Sequence, residues 1–198
     1  MTRNNMVHPT MVFGDSLVPP NKCQFLQETI LKLNAVYPTG SFCEVGVYKG
    51  GTAKVIAQTI KPTDPLYLFD TFDGIPNQCE FDNLCIIGDF SDAPYDDIVN
   101  YFNNFENVHV HKGYFPKDTG TFIENETFKF VHLDVDTYIS YKECLEFFYN
   151  KMMPGGCIVF DDYGSIHCLG ATQAVNEFFS DKVENVSELN SNFYIIKA

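Results

Sequence analysis

Apolar runs that suit buried strands alternate with helical patterns along most of this chain, and this alternation limits the fold more than any other feature of the sequence. Short apolar runs predict strands over residues 42–47, 65–70, 107–113, 128–134 and 155–162. Apolar residues spaced three and four apart predict helices over residues 25–36, 50–60, 94–105, 139–150 and 171–180. Strands joined through helices pair in parallel and are covered on both faces, so the sequence predicts an α/β fold with a mostly parallel sheet.

The C-terminal end of the chain departs from this alternation. Residues 182–189 and 192–198 both have strand patterns, and only Asn190 and Ser191 separate them. A parallel crossover needs about a dozen residues or more, so one of these strands must run antiparallel to the rest. The chain has 198 residues, 45% of them hydrophobic, and no break in composition. We therefore predict a single domain over residues 1–198, in which residues 1–38 form an N-terminal arm and helix.

The net charge of −13 disfavours nucleic acids and anionic membrane surfaces as partners, because both repel an acidic protein. No apolar run approaches the ~18 residues of a membrane span, and the N-terminus lacks the pattern of a secretion signal. The seven cysteines are odd in number and form no C-x-x-C pair, which favours reduced thiols. A disulfide or metal site at Cys79 and Cys85 is the alternative. We therefore expect a soluble, cytoplasmic protein.

The first predicted strand ends in a glycine-rich turn, EVGVYKGGT, which spans Glu44–Thr52. Ligands bind open α/β sheets at the carboxyl ends of the strands, and glycines there let the backbone approach a ligand. The spacing departs from G-x-G-x-x-G because Glu44 holds the first glycine position. A carboxylate there suits the ammonium group of an amino-acid cofactor, while Thr52 and the helix N-terminus suit its carboxylate. The alternative is a glycine-rich turn without a ligand.

The second predicted strand ends at Asp70, 26 residues after Glu44. An acid at this position can accept hydrogen bonds from both hydroxyls of a ribose, which indicates a nucleoside. The alternative role for Asp70 is to cap a turn or a helix. Together with the glycine-rich turn, the nucleoside role is favoured.

Seven segments of the sequence together resemble the macrocin O-methyltransferase family of S-adenosylmethionine-dependent enzymes. In order along the chain they are FCEVGVYKGGTA, LFDTFDGIP, GDF, HKGYF, FVHLDVDTYIS, MMPGGCIVFDDYG and GATQAVNEFF, from Phe42 to Phe179. The resemblance implies a Rossmann-like sheet of seven strands in the order 3-2-1-4-5-7-6 with one antiparallel strand. It also implies S-adenosylmethionine and Mg²⁺ as cofactors, and transfer of a methyl group to a hydroxyl.

The same resemblance implies which residues bind S-adenosylmethionine. Residues of the first strand end would bind the methionine part or lie beside it: Glu44, Gly46, Tyr48, Gly50, Gly51 and Thr52. Asp70 would bind the ribose, and Thr71 and Phe72 follow it in the cofactor site. The adenine would lie near Asp89, Phe90, Gly113 and Tyr114.

Two pairs of acids follow neighbouring apolar strands, Asp134 with Asp136 and Asp161 with Asp162. The implied strand order sets these strands about 4.8 Å apart, so the acids would face each other and repel without a cation. The resemblance assigns Asp134, Asp161 and Asp162 to Mg²⁺ and makes Asp134 the general base, with Asp136 as a substrate contact or alternate ligand. From residue propensity alone, one pair would cap a helix and the other would be solvated.

An acceptor with vicinal hydroxyls fits such a site, and a sugar is the first choice. Two hydroxyls of a small molecule or glycan can chelate Mg²⁺, which lowers the pKa of the reacting one. Tyr138, Tyr163 and His167 follow the acids closely enough to contact the acceptor, whereas His132 is expected in the core. Two other functions stay open: methyl transfer without a metal, and nucleoside binding without turnover.

The N-terminal region is short for this family. About forty residues precede the first strand, and PTMVFGDSL is similar to the family's N-terminal segment but brief. A short lid within residues 1–38 suits an open site for a glycan or another large substrate. It also suits a site that a second subunit of a homodimer completes.

Overall fold

The computed structural model describes residues 17–198, which form one seven-stranded sheet with helices against both of its faces. The helices are α1 (Pro20–Val36), α2 (Gly51–Thr59), α3 (Tyr95–Tyr101), α4 (Tyr138–Phe148) and α5 (Leu169–Phe179). The strands are β1 (Ser41–Val45), β2 (Leu66–Asp70), β3 (Val108–Lys112), β4 (Phe128–Leu133), β5 (Met152–Phe160), β6 (Ser187–Leu189) and β7 (Asn192–Ile196). Short 3₁₀ turns cover Gly120–Ile123 and Tyr149–Lys151.

The strand order is β3-β2-β1-β4-β5-β7-β6, which confirms the predicted α/β class and the implied order. β1 pairs in parallel with β2 and β4, β2 with β3, and β4 with β5. β7 runs antiparallel to both β5 and β6, as the short C-terminal turn requires. The strand order reverses between β1 and β4, so the carboxyl ends of these two strands flank the crevice in which such sheets bind ligands.

Alternate residues of the central strands pack into two separate cores, one on each face of the sheet. Phe42 of β1 and Phe130 of β4 pack with α1 and α2, whereas Cys43 and Val131 pack with α4 and α5. Every residue of β1 and β4 is buried, because successive side chains of a strand point to opposite faces and helices cover both. This double burial explains the nearly continuous apolar runs of the sequence.

Several element boundaries differ from those predicted. α1 begins at Pro20 instead of residue 25, since proline suits the first turn of a helix, where its missing N–H costs no bond. α3 ends at Tyr101 instead of residue 105, and β6 is limited to Ser187–Leu189. All three residues of β6 are exposed, so it lacks the burial that lengthens a strand. Residues 1–16 of the predicted N-terminal arm, with most of PTMVFGDSL, lie outside the described residues.

The cysteines all fall within residues 17–198, where each is a free thiol. Cys79 and Cys85 are therefore not joined by the disulfide that was the alternative prediction. Within the same described range, no helix is both long and apolar enough to cross a bilayer.

Candidate active site

A cavity opens at the carboxyl ends of the parallel strands, beside the reversal of strand order between β1 and β4. Its wall combines the β1–α2 turn, the end of β2, the loop after β3, and the residues that follow β4 and β5. Leu17 and Val18 border it from the segment before α1. This is the edge at which parallel sheets bind ligands, since loops and helix N-termini converge there.

The β1–α2 turn keeps its shape because Gly46 has no side chain. Gly46 has φ +87°, and a Cβ built on it would lie 1.7 Å from the backbone oxygen of Asp134. Its N–H donates to the carbonyl of Phe69 at 2.9 Å, so the turn, β2 and β4 meet at this residue. Gly50, with φ +78°, precedes α2, and Thr52 in the first turn of that helix lines the cavity. Bare backbone thus borders the cavity, as a ligand-binding turn requires.

Asp70 ends β2 and organises the same turn. Its Oδ2 accepts the backbone N–H groups of Val47 and Tyr48 at 2.7 and 2.8 Å, and its Oδ1 accepts that of Phe72 at 2.7 Å. Asp70 also borders the cavity. A carboxylate oxygen has two lone pairs, so Oδ1 keeps acceptor capacity for a ligand hydroxyl. A capping role and a ribose contact are therefore compatible in this one residue.

Four acids meet where β4 and β5 end. One carboxylate oxygen from each of Asp134, Asp161 and Asp162 lies within 4.8 Å of the others, and Asp136 and Asp162 form a second such group with the thiol of Cys168. Asp134, Asp136 and Asp161 border the cavity, whereas Asp162 is 6% exposed and does not. The structure therefore brings together the acids that the sequence places after two separate strands.

Asp162 is held from the protein interior. Its Oδ2 accepts the hydroxyl of Tyr141 at 2.9 Å and the backbone N–H of Asp136 at 3.0 Å. Tyr141 is fully buried, and its hydroxyl also lies 2.8 Å from the carbonyl oxygen of Leu133 and accepts the backbone N–H of Asp162 at 3.2 Å. Neither of these bonds uses Oδ1 of Asp162, which is the oxygen left for another ligand.

Two cationic side chains reach Asp161. Lys22 of α1 donates from Nζ to Oδ2 at 3.1 Å and to the backbone carbonyl of Asp161 at 2.5 Å. His132 of β4 places Nε2 3.7 Å from Oδ1. No pattern of the sequence predicts this role for Lys22, because 139 residues separate it from Asp161.

The surroundings give the four acids different affinities for protons. Burial, followed by the negative charges of Asp161 and Asp162, holds the pKa of Asp134 well above its usual value. Burial and Asp162 raise the pKa of Asp136 to about 7, and burial and Asp161 raise the pKa of Asp162. Burial also opposes ionisation of Asp161, but its two cationic neighbours lower its pKa. Without a further cation, burial and mutual repulsion therefore disfavour the ionised forms of Asp134, Asp136 and Asp162, whereas the cationic neighbours of Asp161 favour its carboxylate.

Glu44 is paired with His132 instead of bordering the cavity. It is fully buried, and its Oε1 lies 2.8 Å from Nδ1 of His132, its register partner on β4. Its Oε2 has no hydrogen-bond partner among the described residues. Burial lowers the pKa of His132, but the neighbouring carboxylates of Asp161 and Glu44 raise it to about 9. Glu44 thus contacts His132 in the structure, whereas the sequence suggested that it binds the ammonium group of a cofactor.

Most of the residues predicted to bind the cofactor border the cavity. They are Gly46, Tyr48, Gly51, Thr52, Asp70, Thr71, Phe90, Gly113 and Tyr114. The rings of Tyr48 and Phe90 contact each other with centroids 5.5 Å apart. Gly50, Phe72 and Asp89 adjoin these residues in sequence but do not border the cavity within the described part of the chain.

Three further residues predicted to contact the acceptor lie outside the cavity wall. The hydroxyl of Tyr138 donates to Glu177 at 2.6 Å, and that of Tyr163 donates to Asn176 at 2.8 Å. His167 is exposed. Their contacts with an acceptor stay predictions.

Part of the cavity wall was not predicted from the sequence. Besides the two residues before α1, the additional residues are Val45, Val47, Phe69, Gly74, Ile75, Pro76, Phe115, Val135, Ser140 and Cys144. Ser140 and Cys144 lie one turn apart on α4, a spacing visible in the sequence. Asn77 donates to the hydroxyls of Ser140 and Tyr114 at 3.0 and 3.1 Å and so links two parts of the wall. Helical periodicity shows which residues share a face but not which end of the sheet they meet.

Solved structures of other proteins share this fold. NovP, an O-methyltransferase, matches with a TM-score of 0.81 and 19% identity over 93% of this chain and 82% of its own. CalS11, a calicheamicin methyltransferase, matches with a TM-score of 0.71 and 17% identity over 95% and 89%. CalS11 is also named as a TDP-rhamnose 3′-O-methyltransferase, in a second solved structure. An O-methyltransferase from Bacillus cereus in complex with SAH matches with a TM-score of 0.63 and 14% identity over 98% and 94%. The protein therefore has the fold of the O-methyltransferases.

The sequence match then gives the family. The model of the macrocin O-methyltransferases (TylF) matches residues 4–189, nearly the whole chain. The chain belongs to this family and is an S-adenosylmethionine-dependent O-methyltransferase, as its seven motifs indicated. A comparison with curated protein sequences finds no match.

Proposed function

We propose that the protein is a Mg²⁺-dependent enzyme that moves a methyl group from S-adenosylmethionine to a hydroxyl of a sugar or another vicinal-diol acceptor. The observation that carries the proposal is the acid cluster, since oxygens of Asp134, Asp161 and Asp162 lie within 4.8 Å of one another. Two of these acids border the same cavity as the glycine-rich turn. A methyl donor and an acceptor hydroxyl can therefore be held in one space.

The three carboxylates fit a hard divalent cation. Their burial in one place opposes ionisation of Asp134 and Asp162, a cost that a cation offsets. Oδ1 of Asp162 is outside the two hydrogen bonds that hold Oδ2. All donors are oxygens, which Mg²⁺ prefers, and Mg²⁺ keeps coordination positions for water or substrate. When bound there, Mg²⁺ would supply Lewis acidity that lowers the pKa of an acceptor hydroxyl.

We assign S-adenosylmethionine to the wall between the β1–α2 turn and the loop after β3. Gly46 and Thr52 offer backbone and a hydroxyl for the methionine part, and Oδ1 of Asp70 has acceptor capacity for the ribose. Phe90 and Tyr114 offer aromatic surface for the adenine. The donor supplies the methyl group, and these residues bind and orient it.

Asp134 is the proposed general base. It borders the cavity, where its carboxylate can reach the proton of a bound acceptor hydroxyl. In this role, Asp134 takes the proton of the reacting hydroxyl on a carboxylate oxygen. Asp136 borders the same space and is proposed to accept a hydrogen bond from a second hydroxyl.

The nature of the acceptor is supported by one comparison and by charge. CalS11, which shares the fold, is named a TDP-rhamnose 3′-O-methyltransferase, and this supports a sugar acceptor. The net charge of −13 supports a small molecule or glycan over nucleic acid or an anionic membrane.

Free thiols support a cytoplasmic location. The homodimer, and acceptor contacts of Tyr138, Tyr163 and His167, stay predictions.

A methyl-transfer assay with labelled S-adenosylmethionine tests the proposal on free sugars, nucleotide sugars, glycans and catechols. We expect transfer to a vicinal-diol acceptor that stops with EDTA and returns with Mg²⁺. Asp161→Asn should lower kcat/KM by at least about 100-fold, because it removes a charged ligand of the metal. Asp181→Asn is the matched control, since Asp181 is an exposed acid paired with Lys182.

The two alternative functions give different results. Transfer that resists both EDTA and Asp161→Asn would establish a metal-independent enzyme. Calorimetric binding of S-adenosylmethionine without turnover on any acceptor would favour a nucleoside-binding module. A protein that does not bind S-adenosylmethionine would contradict the proposal as a whole.

A further inference from the structure

We infer that Lys22 is a built-in counter-ion of the acid cluster and that it competes with the divalent cation for Asp161. The inference rests on the proposed function, because it concerns the metal site assigned there. It starts from one contact between distant parts of the chain. Nζ of Lys22 lies 3.1 Å from Oδ2 of Asp161 and 2.5 Å from its backbone carbonyl oxygen.

The ion pair is partly shielded from water. The side chains of Lys22 and Asp161 are 19% and 14% exposed, against 43% and 66% in the surface pair of Lys49 and Asp92. A pair with so little exposure is screened less by salt and solvent than a surface pair. Removing Lys22 would leave the largely buried Asp161 carboxylate with His132 as its remaining cationic neighbour. Lys22 therefore stabilises the cluster when no metal is bound.

Both oxygens of Asp161 face positive groups. Lys22 donates to Oδ2, and Nε2 of His132 lies 3.7 Å from Oδ1. A divalent cation that takes Asp161 as a ligand must displace the ammonium from Oδ2 or bind Oδ1 with the ammonium still close by. Repulsion between the two cations lowers metal affinity in either case. Lys22 thus sets the affinity of the site without being one of its ligands.

The position of Lys22 links the acid cluster to the segment before α1, which borders the cavity. Lys22 lies in the first turn of α1, four residues after Val18, which borders the cavity. Its ammonium ties this segment to the end of β5. A metal ion that displaces the ammonium releases one of the contacts that hold the segment.

Binding of Mn²⁺, followed by the electron paramagnetic resonance of the free ion, tests the inference without S-adenosylmethionine and without turnover. Lys22→Met removes the charge and keeps an unbranched side chain. We expect Lys22→Met to bind Mn²⁺ about tenfold more tightly than the wild type, because the competing charge is gone. Lys22→Arg keeps the charge and should stay near the wild type. Lys32→Met removes the same charge from an exposed position of α1 and should change the affinity by less than about twofold.

Unchanged or weaker Mn²⁺ binding by Lys22→Met overturns the inference. Thermal unfolding of Lys22→Gln, a second neutral variant, is an independent measurement. Its Tm should rise more on addition of Mn²⁺ than that of the wild type, and equal rises overturn the inference. If neither wild type nor variants bind Mn²⁺, the inference fails together with the metal in the proposed function. Binding that is insensitive to residue 22 overturns the inference alone.

Discussion

At the residue scale, Asp136 is held where a negative charge is costly. It has φ +59°, a left-handed conformation that aspartate tolerates better than most residues. Its backbone N–H donates to Asp162, and the thiol of Cys168 lies 3.6 Å from its Oδ1. Burial, followed by the charge of Asp162, raises its pKa to about 7. Native Asp136 therefore binds a proton more tightly than it does in the unfolded chain, and the stability of the protein depends on pH.

We predict that the metal-free protein loses stability as the pH rises from about 5 to about 7.5. The pKa of aspartate in an unfolded chain is about 3.9. Between that pH and the native pKa, the folded state binds more protons than the unfolded state, so the free energy of unfolding falls as the pH rises. Asp134, whose pKa is also raised, contributes with the same sign. Urea unfolding in EDTA at several pH values measures the free energy.

Asp136→Asn is the control for this pH dependence, because it removes a titrating group and should flatten the slope. Addition of Mg²⁺ should reverse part of the loss at the higher pH, since a cation favours the ionised acids. A free energy of unfolding that increases with pH across this window in EDTA would contradict the raised pKa values.

At the scale of single elements, the β1–α2 turn depends on close packing as well as on backbone conformation. Gly46 and Gly88 have nearly the same φ, +87° and +89°. A Cβ on Gly46 would lie 1.7 Å from the backbone oxygen of Asp134, whereas a Cβ on Gly88 would have no atom within 4 Å. The two glycines therefore separate steric overlap from the strain of a left-handed conformation.

We predict that Gly46→Ala lowers the free energy of unfolding by at least about 3 kcal/mol, because β1 and β4 must move apart at the turn. Gly88→Ala should cost about 1–2 kcal/mol, the strain of the backbone alone. Urea unfolding measures both. Folded Gly46→Ala should also lose affinity for S-adenosylmethionine in calorimetry. Equal costs at the two positions would show that the contact with Asp134 does not matter.

At the scale of the whole molecule, the two ends of the sheet have different roles. Acids at the carboxyl end border the cavity, whereas the amino end holds a buried ion pair between Lys129 and Asp64. Nζ of Lys129 lies 2.8 Å from Oδ2 of Asp64, with side chains 0% and 4% exposed, and 4.8 Å from the ring centre of Phe42. This pair is far along the strands from the candidate active site, so it should affect stability and not binding.

We predict that Lys129→Met lowers the free energy of unfolding by about 3–5 kcal/mol, because it leaves the Asp64 carboxylate buried without a partner. The double variant Lys129→Met with Asp64→Asn should recover part of this loss. Affinities of the folded variants for S-adenosylmethionine and Mn²⁺ should stay within about twofold of the wild type. A larger change in affinity would show that the two ends of the sheet are coupled.

The sequence by itself determined the α/β class, the order of the elements and the strand ends at which the site lies. Alternation, proline and glycine placement, and helical spacing are local patterns, and they predicted the helices and strands that the structure has. The strand order came from the resemblance to a family, not from periodicity. The glycine-rich turn with Gly46 and Thr52, Asp70, and the acids after β4 and β5 were all visible as residues that follow apolar runs.

Only the tertiary structure decided which of these groups touch. Glu44 meets His132 because their strands pair in register, and Lys22 meets Asp161 across 139 residues of sequence. Ser140 and Cys144 enter the cavity wall because α4 packs on the face of the sheet beside it. Such contacts depend on strand register and helix docking, which follow from the packing of the whole core and leave no local pattern. The residues that suit the site can thus be predicted from the sequence, whereas the ion pairs and pKa values of the acids depend on the fold.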